Sequence, residues 1–150
     1  MSGRTLHASC VALDGRGLLI LGAAGAGKSA LTLSLVALGA VLVGDDRIVV
    51  FEEAGRLCAR TAPAIGGKVE ARGIGILSNL PTAEAPLFAA VDLDASPSER
   101  MPQPLWWQHG AHRVPLMAGR DVPHLAPSLA VMLRHAILPD VFAPLESHAR

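Results

Sequence analysis

Residues 18–29 read Leu18-Leu19-Ile20-Leu21-Gly22-Ala23-Ala24-Gly25-Ala26-Gly27-Lys28-Ser29, and this stretch decides the fold. Its second part matches the pattern Gly-x-x-x-x-Gly-Lys-Ser/Thr. An apolar strand precedes the match, and a segment without glycine or proline follows it to residue 38. Glycines let successive backbone N–H groups face one anion, and a helix N-terminus adds further donors. The stretch therefore predicts a strand, a phosphate-binding loop over Gly22, Ala23, Ala24, Gly25, Ala26, Gly27, Lys28 and Ser29, and a helix.

The flanking sequence predicts more strands than an ordinary alternation of strand and helix would contain. Turn residues 14–17 join apolar strands at 5–13 and 17–21, and a helix at 28–38 ends near Gly39. Further strands are expected at 40–43, 47–52, 56–60 and 87–93, loops at 63–75 and 96–104, and a second helix at 123–138. We therefore predict an α/β fold in which the phosphate loop lies on a strand-rich mixed sheet.

Length and composition predict a single domain over residues 1–150, with a core at about 5–138 and a tail at 139–150. Thirteen basic residues balance thirteen acidic ones, which argues against broad electrostatic binding to nucleic acid or to a membrane surface. No signal peptide or membrane-spanning run is recognisable, so a cytoplasmic protein is expected. Cys10 and Cys58 lie in apolar segments and are expected to be reduced thiols.

Paired carboxylates follow the short apolar strand at 40–43. Asp45 and Asp46 would be costly at the end of a buried strand unless positive charge lies nearby, and a Mg²⁺-nucleotide on the upstream loop would supply it. One carboxylate can then orient the metal, and the other can take a proton from an attacking hydroxyl. A solvated turn capped by Asp45 is the alternative interpretation. Lys28 would contact the β- and γ-phosphates, and Ser29 would offer a hydroxyl to the Mg²⁺ ion.

Several ordered blocks of the chain resemble the catalytic, C-terminal domain of the HPr kinase/phosphorylase family. They begin with His7 and the phosphate loop, and continue with Gly44-Asp45-Asp46-Arg47. Residues 69–76 read Val-Glu-Ala-Arg-Gly-Ile-Gly-Ile and resemble the family signature Glu-x-Arg-Gly-h-Gly-h, where h is apolar. Residues 98–101 and 115–120 resemble its later arginine-containing segments. The resemblance covers about residues 7–135, and the chain resembles a short form without the family's N-terminal domain.

The resemblance implies a role for each matching residue. Ser29 and Glu70 would ligate Mg²⁺, and Asp46 would be the base for phosphorylation and the acid for the reverse reaction, with Asp45 beside it. Arg100 would stabilise the transferring phosphoryl group, and His7 would support the site. The supporting loops would be formed by Arg72, Gly73, Gly119 and Arg120, the last two in the segment needed for dephosphorylation.

The resemblance further implies a nucleotide-binding fold akin to phosphoenolpyruvate carboxykinase, ATP and Mg²⁺ as cofactors, an HPr-like phosphocarrier as substrate, and a hexamer. A small-molecule kinase with the same loop and a non-catalytic ATP-sensing module are the alternatives. The histidines at 109 and 112 have a His-x-x-His spacing that could bind metal, but we expect solvated side chains there, and we expect Trp106 and Trp107 to anchor a loop.

Overall fold

The computed structural model describes residues 3–63, 66–98 and 102–142 of the chain. These ranges contain two α-helices, α1 (Lys28–Ala37) and α2 (Leu125–His135), and a short 3₁₀ helix at Asp140–Phe142. The strands are β1 (Gly3–Leu6), β2 (Ser9–Leu13), β3 (Arg16–Leu21), β4 (Val41–Gly44), β5 (Ile48–Glu53), β6 (Arg56–Thr61), β7 (Val69–Ala71), β8 (Gly75–Leu77), β9 (Ala85–Asp92), β10 (Leu105–His109) and β11 (His112–Ala118).

Most strands form one mixed sheet in the order β1-β5-β6-β9-β3-β2-β4. Strand β9 is parallel to β3 and, further along its length, parallel to β11, whereas the other pairings in this sheet are antiparallel. Strands β7 and β8 form a separate hairpin. The prediction of a strand-rich mixed α/β fold is confirmed.

The central strands are mostly apolar because both of their faces are covered. Alternate residues of β2 and β3, such as Val11 and Ile20, pack with α1 and α2 on one face of the sheet. The intervening residues, such as Cys10 and Leu19, pack on the other face with Ile48 and other strand residues. This two-sided burial fixes β3, and with it the start of the phosphate loop.

The prediction of one continuous strand over residues 5–13 is wrong. The chain bends at His7, so that β1 pairs with β5 whereas β2 pairs with β3 and β4. An apolar run does not show that its two halves pair with different partners. Residues 63–75, expected to be a loop, contain β7 and the start of β8.

The tryptophans that were expected to anchor a loop lie on a strand. Trp106 and Trp107 belong to β10, which pairs with β11 across the turn that contains Gly110. The guanidinium of Arg113 lies 4.0 Å from the ring centre of Trp106, whose other neighbour Phe142 makes an edge contact with ring centres 5.2 Å apart. These contacts attach the 3₁₀ helix to the hairpin.

Both cysteines are free thiols, as expected. Burial raises the pKa of the Cys10 thiol far above its ordinary value. Partial burial also raises the pKa of Cys58, with Glu53 adding to the shift and Arg56 opposing it. Within the described ranges, neither helix is long and apolar enough to cross a bilayer.

Candidate active site

The glycine-rich loop connects β3 to α1 in the order that the sequence predicts. Gly25 and Gly27 have φ angles of 84° and 103°, which place them in the left-handed region that favours glycine. The Lys28 ammonium donates hydrogen bonds to the Gly22 carbonyl at 2.7 Å and to the Ala23 carbonyl at 3.2 Å. The first turn of α1 carries no acidic side chain, so its N–H groups and dipole favour an anion over the loop.

Asp45 is buried at the end of β4, with 8% of its surface exposed. Its Oδ1 accepts a hydrogen bond from the Ser9 hydroxyl at 2.6 Å, and its Oδ2 accepts one from the Ser29 hydroxyl at 2.8 Å. These two bonds satisfy a carboxylate that would otherwise be expensive to bury. They also orient Ser29, since a hydroxyl that gives its proton to Asp45 keeps its lone pairs free for a cation.

Asp46 adopts a different conformation from its neighbour. Its φ of 66° is in the left-handed region, which aspartate tolerates better than most residues. The Asp46 N–H donates to the Ser9 hydroxyl at 3.1 Å, and its side chain is exposed. The backbone is thus held in place while the carboxylate faces solvent, where a reacting group can reach it.

One cavity of about 600 Å³ brings the main predicted residues together. The phosphate loop and the start of α1 line one side, and the β7–β8 hairpin lines another. The predicted site residues that line it are Ala24, Gly25, Gly27, Lys28, Ser29, Asp45, Asp46, Glu70 and Arg72. Glu70 lies on β7, which ends at Ala71, whereas Arg72 begins the turn that leads to β8. Both side chains still line the same cavity.

The other predicted residues, which include Gly22, Ala23 and Ala26 of the loop, are not among the described residues that line this cavity. His7 occupies the exposed bend between β1 and β2 and is not among the described residues that line this cavity. Gly73, with a φ of 84°, forms the β7–β8 turn. Gly119 and Arg120 follow β11 and line a second cavity on the other flank of the loop, together with Ala23 and Ala26. Arg100 lies outside the described residues.

Sequence reasoning missed two polar residues that position the loop. Ser9 is fully buried and bridges the Asp45 carboxylate to the Asp46 backbone. Asp94 accepts a hydrogen bond from the Ala23 N–H at 2.8 Å. Ser9 could have been identified as a polar residue inside an apolar strand. Asp94 could have been identified because it follows strand β9 as Asp45 and Asp46 follow β4.

The oxygen donors of the larger cavity fit a hard cation such as Mg²⁺. The Ser29 hydroxyl and the Asp45, Asp46 and Glu70 carboxylates are the ligand type that this ion prefers. In the described parts of the chain, no three histidine, cysteine or acidic side chains converge closely enough to cage a metal ion.

The histidines of the β10–β11 hairpin do not form such a site. His112 Nε2 pairs with the carboxylate of Glu52 on β5. The His109 ring stacks on Trp107 with centres 6.1 Å apart. The expectation that these histidines are solvated is thus corrected, since both are half-buried and engaged in packing or pairing.

The chain is similar in sequence and in structure to proteins of one family. The family model described as the HPr Serine kinase C-terminal domain matches residues 1–82. An HPr kinase/phosphorylase from Mycoplasma mycoides is 39% identical over 70 residues, which cover 47% of this chain and 22% of the relative. Another from Lactococcus lactis is 42% identical over 74 residues, covering 49% and 24%. The chain thus spans about a quarter of the length of the curated relatives it matches.

A solved structure extends the likeness over most of the fold. The HPr(Ser) kinase/phosphatase from Coxiella burnetii superposes with a TM-score of 0.71 at 25% identity, covering 89% of this chain and 95% of that chain. The mixed sheet, with a glycine-rich loop between β3 and α1 and carboxylates beside it, defines a strand-rich α/β domain. Within that class, the chain belongs to the family of HPr serine kinase C-terminal domains.

Proposed function

We propose that this chain transfers the γ-phosphoryl group of ATP to a serine of the phosphocarrier HPr or a similar carrier, and that it also removes the phosphate by phosphorolysis. The observation that carries the proposal is the larger cavity. It joins a phosphate loop, a carboxylate held on the loop serine, an exposed carboxylate, and the Glu70–Arg72 segment. The names of the relatives, each an HPr kinase/phosphorylase, support the choice of substrate.

The loop binds and orients the phosphates in this proposal. The backbone N–H groups of residues 22–29 surround the β- and γ-phosphates, and Lys28 turns its ammonium from the loop carbonyls toward them. Ser29 and Glu70 would hold Mg²⁺, and Asp45 fixes the Ser29 hydroxyl by accepting its hydrogen bond. When bound, the ion neutralises phosphate charge.

Asp46 is the proposed general base. Its exposed carboxylate takes the proton of the substrate serine as that oxygen forms a bond to the γ-phosphorus and the bond to ADP breaks. In the reverse direction inorganic phosphate attacks the phosphoserine phosphorus, pyrophosphate forms, and protonated Asp46 returns the proton to the serine oxygen. One residue therefore serves both directions.

Other predicted residues keep supporting roles in the proposal. Arg100 stabilises the transferring phosphoryl group, and His7 supports the site from the bend before β2. Arg72 and Gly73 shape the hairpin side of the cavity. Gly119 and Arg120 contribute to dephosphorylation from the other flank of the loop, beside Asp121.

At the level of the assembly, we propose a single catalytic domain that works in the cytoplasm as a homo-oligomer, with a hexamer as the family resemblance implies. Both helices and Ala26 of the loop pack on one face of the sheet in one core, and the strands form a second core on the other face, which supports one folding unit.

The test incubates the chain with γ-labelled ATP, Mg²⁺ and a purified HPr-type phosphocarrier, followed by mapping of the modified residue. We expect label on one serine of the carrier, and labelling slower by roughly two to four orders of magnitude with Asp46→Asn. Label on a small molecule but not on the carrier would support a small-molecule kinase. ATP binding without transfer to any acceptor would support a non-catalytic sensing module.

A further inference from the structure

The second cavity has a volume of about 430 Å³ and adjoins the first at the phosphate loop. Ala24 and Gly25 line both cavities, so a ligand that lies over the loop reaches from one to the other. The volume is within the roughly 300–1,000 Å³ that is typical of small-molecule sites. The described residues that line it are Ala23, Ala24, Gly25, Ala26, Leu93, Asp94, Gly119, Arg120 and Asp121.

The sheet places this cavity where ligands of open α/β sheets are usually bound. Strands β3, β9 and β11 run parallel, so their carboxyl ends meet at one edge. The Leu93 N–H donates to the Leu21 carbonyl at 2.8 Å, and the Gly119 N–H donates to the Asp92 carbonyl at 2.9 Å. These bonds tie the three strand ends together and hold the cavity in a fixed position beside the loop.

We infer that the second cavity is the nucleoside subsite, and that it recognises the ribose hydroxyls more than the base. The inference rests on the proposed function. If the reacting phosphate lies at the end marked by Ser29, Asp46 and Glu70, the nucleoside lies at the opposite end of the phosphate chain. The second cavity shares Ala24 and Gly25 with the first, but Ser29, Asp46 and Glu70 are not among the described residues that line it.

Asp94 is the residue that recognises the ribose hydroxyls. Its Oδ2 accepts a hydrogen bond from the Ala23 N–H at 2.8 Å, which holds the side chain on the loop, and its backbone N–H donates to Asp92 Oδ1 at 2.9 Å, which holds the main chain at the end of β9. Its other oxygen, Oδ1, can accept hydrogen bonds from vicinal hydroxyls, as an acidic residue does for the ribose in dinucleotide sites. Because the same carboxylate holds the loop, sugar and phosphates are recognised in a fixed relation.

Recognition of the base is weak in this subsite. The described lining residues include no aromatic ring on which a base could stack, and Leu93 is the largest apolar side chain among them. We therefore expect ATP and GTP to bind with affinities within about threefold of each other, since stacking and edge recognition supply base selectivity elsewhere.

The test is calorimetric titration of the whole chain with Mg-ATP, Mg-GTP, Mg-2′,3′-dideoxy-ATP and Mg-tripolyphosphate. Asp94→Asn keeps an amide oxygen for the Ala23 N–H but presents an NH₂ donor to the sugar. We expect this variant to bind ATP about tenfold more weakly, the cost of one hydrogen bond to a charged group, and tripolyphosphate as tightly as wild type. Wild type should bind the dideoxy nucleotide about tenfold more weakly than ATP, and the variant should lose that discrimination.

The matched control is Asp14→Asn, an exposed aspartate in the turn before β3, at the end of the strand away from the loop. It changes the net charge equally and should bind all four ligands as wild type does. Equal weakening of ATP and tripolyphosphate by Asp94→Asn would assign this residue to the loop alone and overturn the inference. Equal binding of ATP and dideoxy-ATP by wild type would also overturn it. If wild type bound neither ATP nor tripolyphosphate, the proposed function itself would fall.

Discussion

At the residue scale, the position of Ser9 explains why two adjacent aspartates differ. Its hydroxyl donates to Asp45 Oδ1 and accepts from the Asp46 N–H, so it holds one carboxylate inward and the next residue's backbone in a left-handed turn. Asp45 is satisfied by hydroxyls, whereas Asp46 faces the cavity. The aspartate pair itself was predictable from the sequence. The different roles of the two aspartates were not predictable, because they depend on Ser9, which lies 36 positions before Asp45 in the chain.

Replacing Ser9 by alanine should destabilise the fold. Ser9→Ala leaves buried Asp45 with one hydroxyl partner fewer, and an unsatisfied buried group costs about 1–3 kcal/mol. Ser34→Ala is the control, because Ser34 bonds only to the Ala30 carbonyl on the exposed side of α1 and should change stability by less than about 0.5 kcal/mol. Urea unfolding measures both. Equal midpoints for the two variants would show that the Ser9–Asp45 bond contributes little.

The two aspartates should respond differently to amide substitution. Asp46→Asn should reduce phosphorylation of the carrier by roughly two to four orders of magnitude while ATP still binds, because an amide cannot accept the serine proton. Phosphate-dependent dephosphorylation should fall with it. Asp45→Asn should be milder in turnover, since the amide oxygen can still accept one hydroxyl. The measurement is a paired assay of carrier phosphorylation and phosphate-dependent dephosphorylation with each variant. A dead Asp45→Asn beside an active Asp46→Asn would reverse the two proposed roles.

At the element scale, the β7–β8 hairpin is the part of the site whose shape was hardest to foresee. Its two strands have three residues each and pair only with one another, which leaves Ile74 and Ile76 exposed at 84% and 66%. So short a hairpin has no clear period of alternation in the sequence. Its placement over the loop comes from contact between β7 and α1, which no local pattern encodes.

Glu70→Gln on this hairpin should raise the Mg²⁺ requirement of the reaction. A carboxylate is a far better Mg²⁺ ligand than an amide, so the Mg²⁺ concentration for half-maximal activity should rise by roughly tenfold or more. Glu53→Gln, at the end of β5, is the matched control and should follow the wild-type curve. Activity across a Mg²⁺ titration is the measurement. Superimposable curves for Glu70→Gln and wild type would remove Glu70 from the proposed metal site.

At the scale of the whole molecule, the strand-rich mixed sheet was predictable because local signals agreed along most of the chain. Turn residues mark the hairpins at 14–15 and 54–55, and the glycine-rich loop separates a strand from a helix. The strand order was not predictable, because β9 joins β3, β6 and β11 through pairings distant in sequence. The second cavity follows from that order, so the contact between Asp94 and the loop became visible only in the folded chain.

The reaction rates of the two thiols test the packing of the fold around them. Both have raised pKa values, so each carries less thiolate near pH 7 than a free cysteine and should react slowly with a disulfide reagent. Half-buried Cys58 should react before buried Cys10, and its rate should increase as the pH rises toward its raised pKa. Thiol counting should give about one reactive group in the native protein and both after denaturation. Two fast thiols in the native state would contradict the packing of β2.

The measurement that tests the central claim most directly is calorimetric titration of Mg-ATP into Lys28→Ala and Lys68→Ala. These are the two lysines of the chain, and Lys68 lies exposed just before β7. If the loop binds the triphosphate, Lys28→Ala loses measurable binding while its thermal unfolding stays cooperative, and Lys68→Ala binds as wild type does. Unchanged Mg-ATP affinity in a folded Lys28→Ala variant would contradict the assignment of the phosphate loop, and with it the proposed kinase.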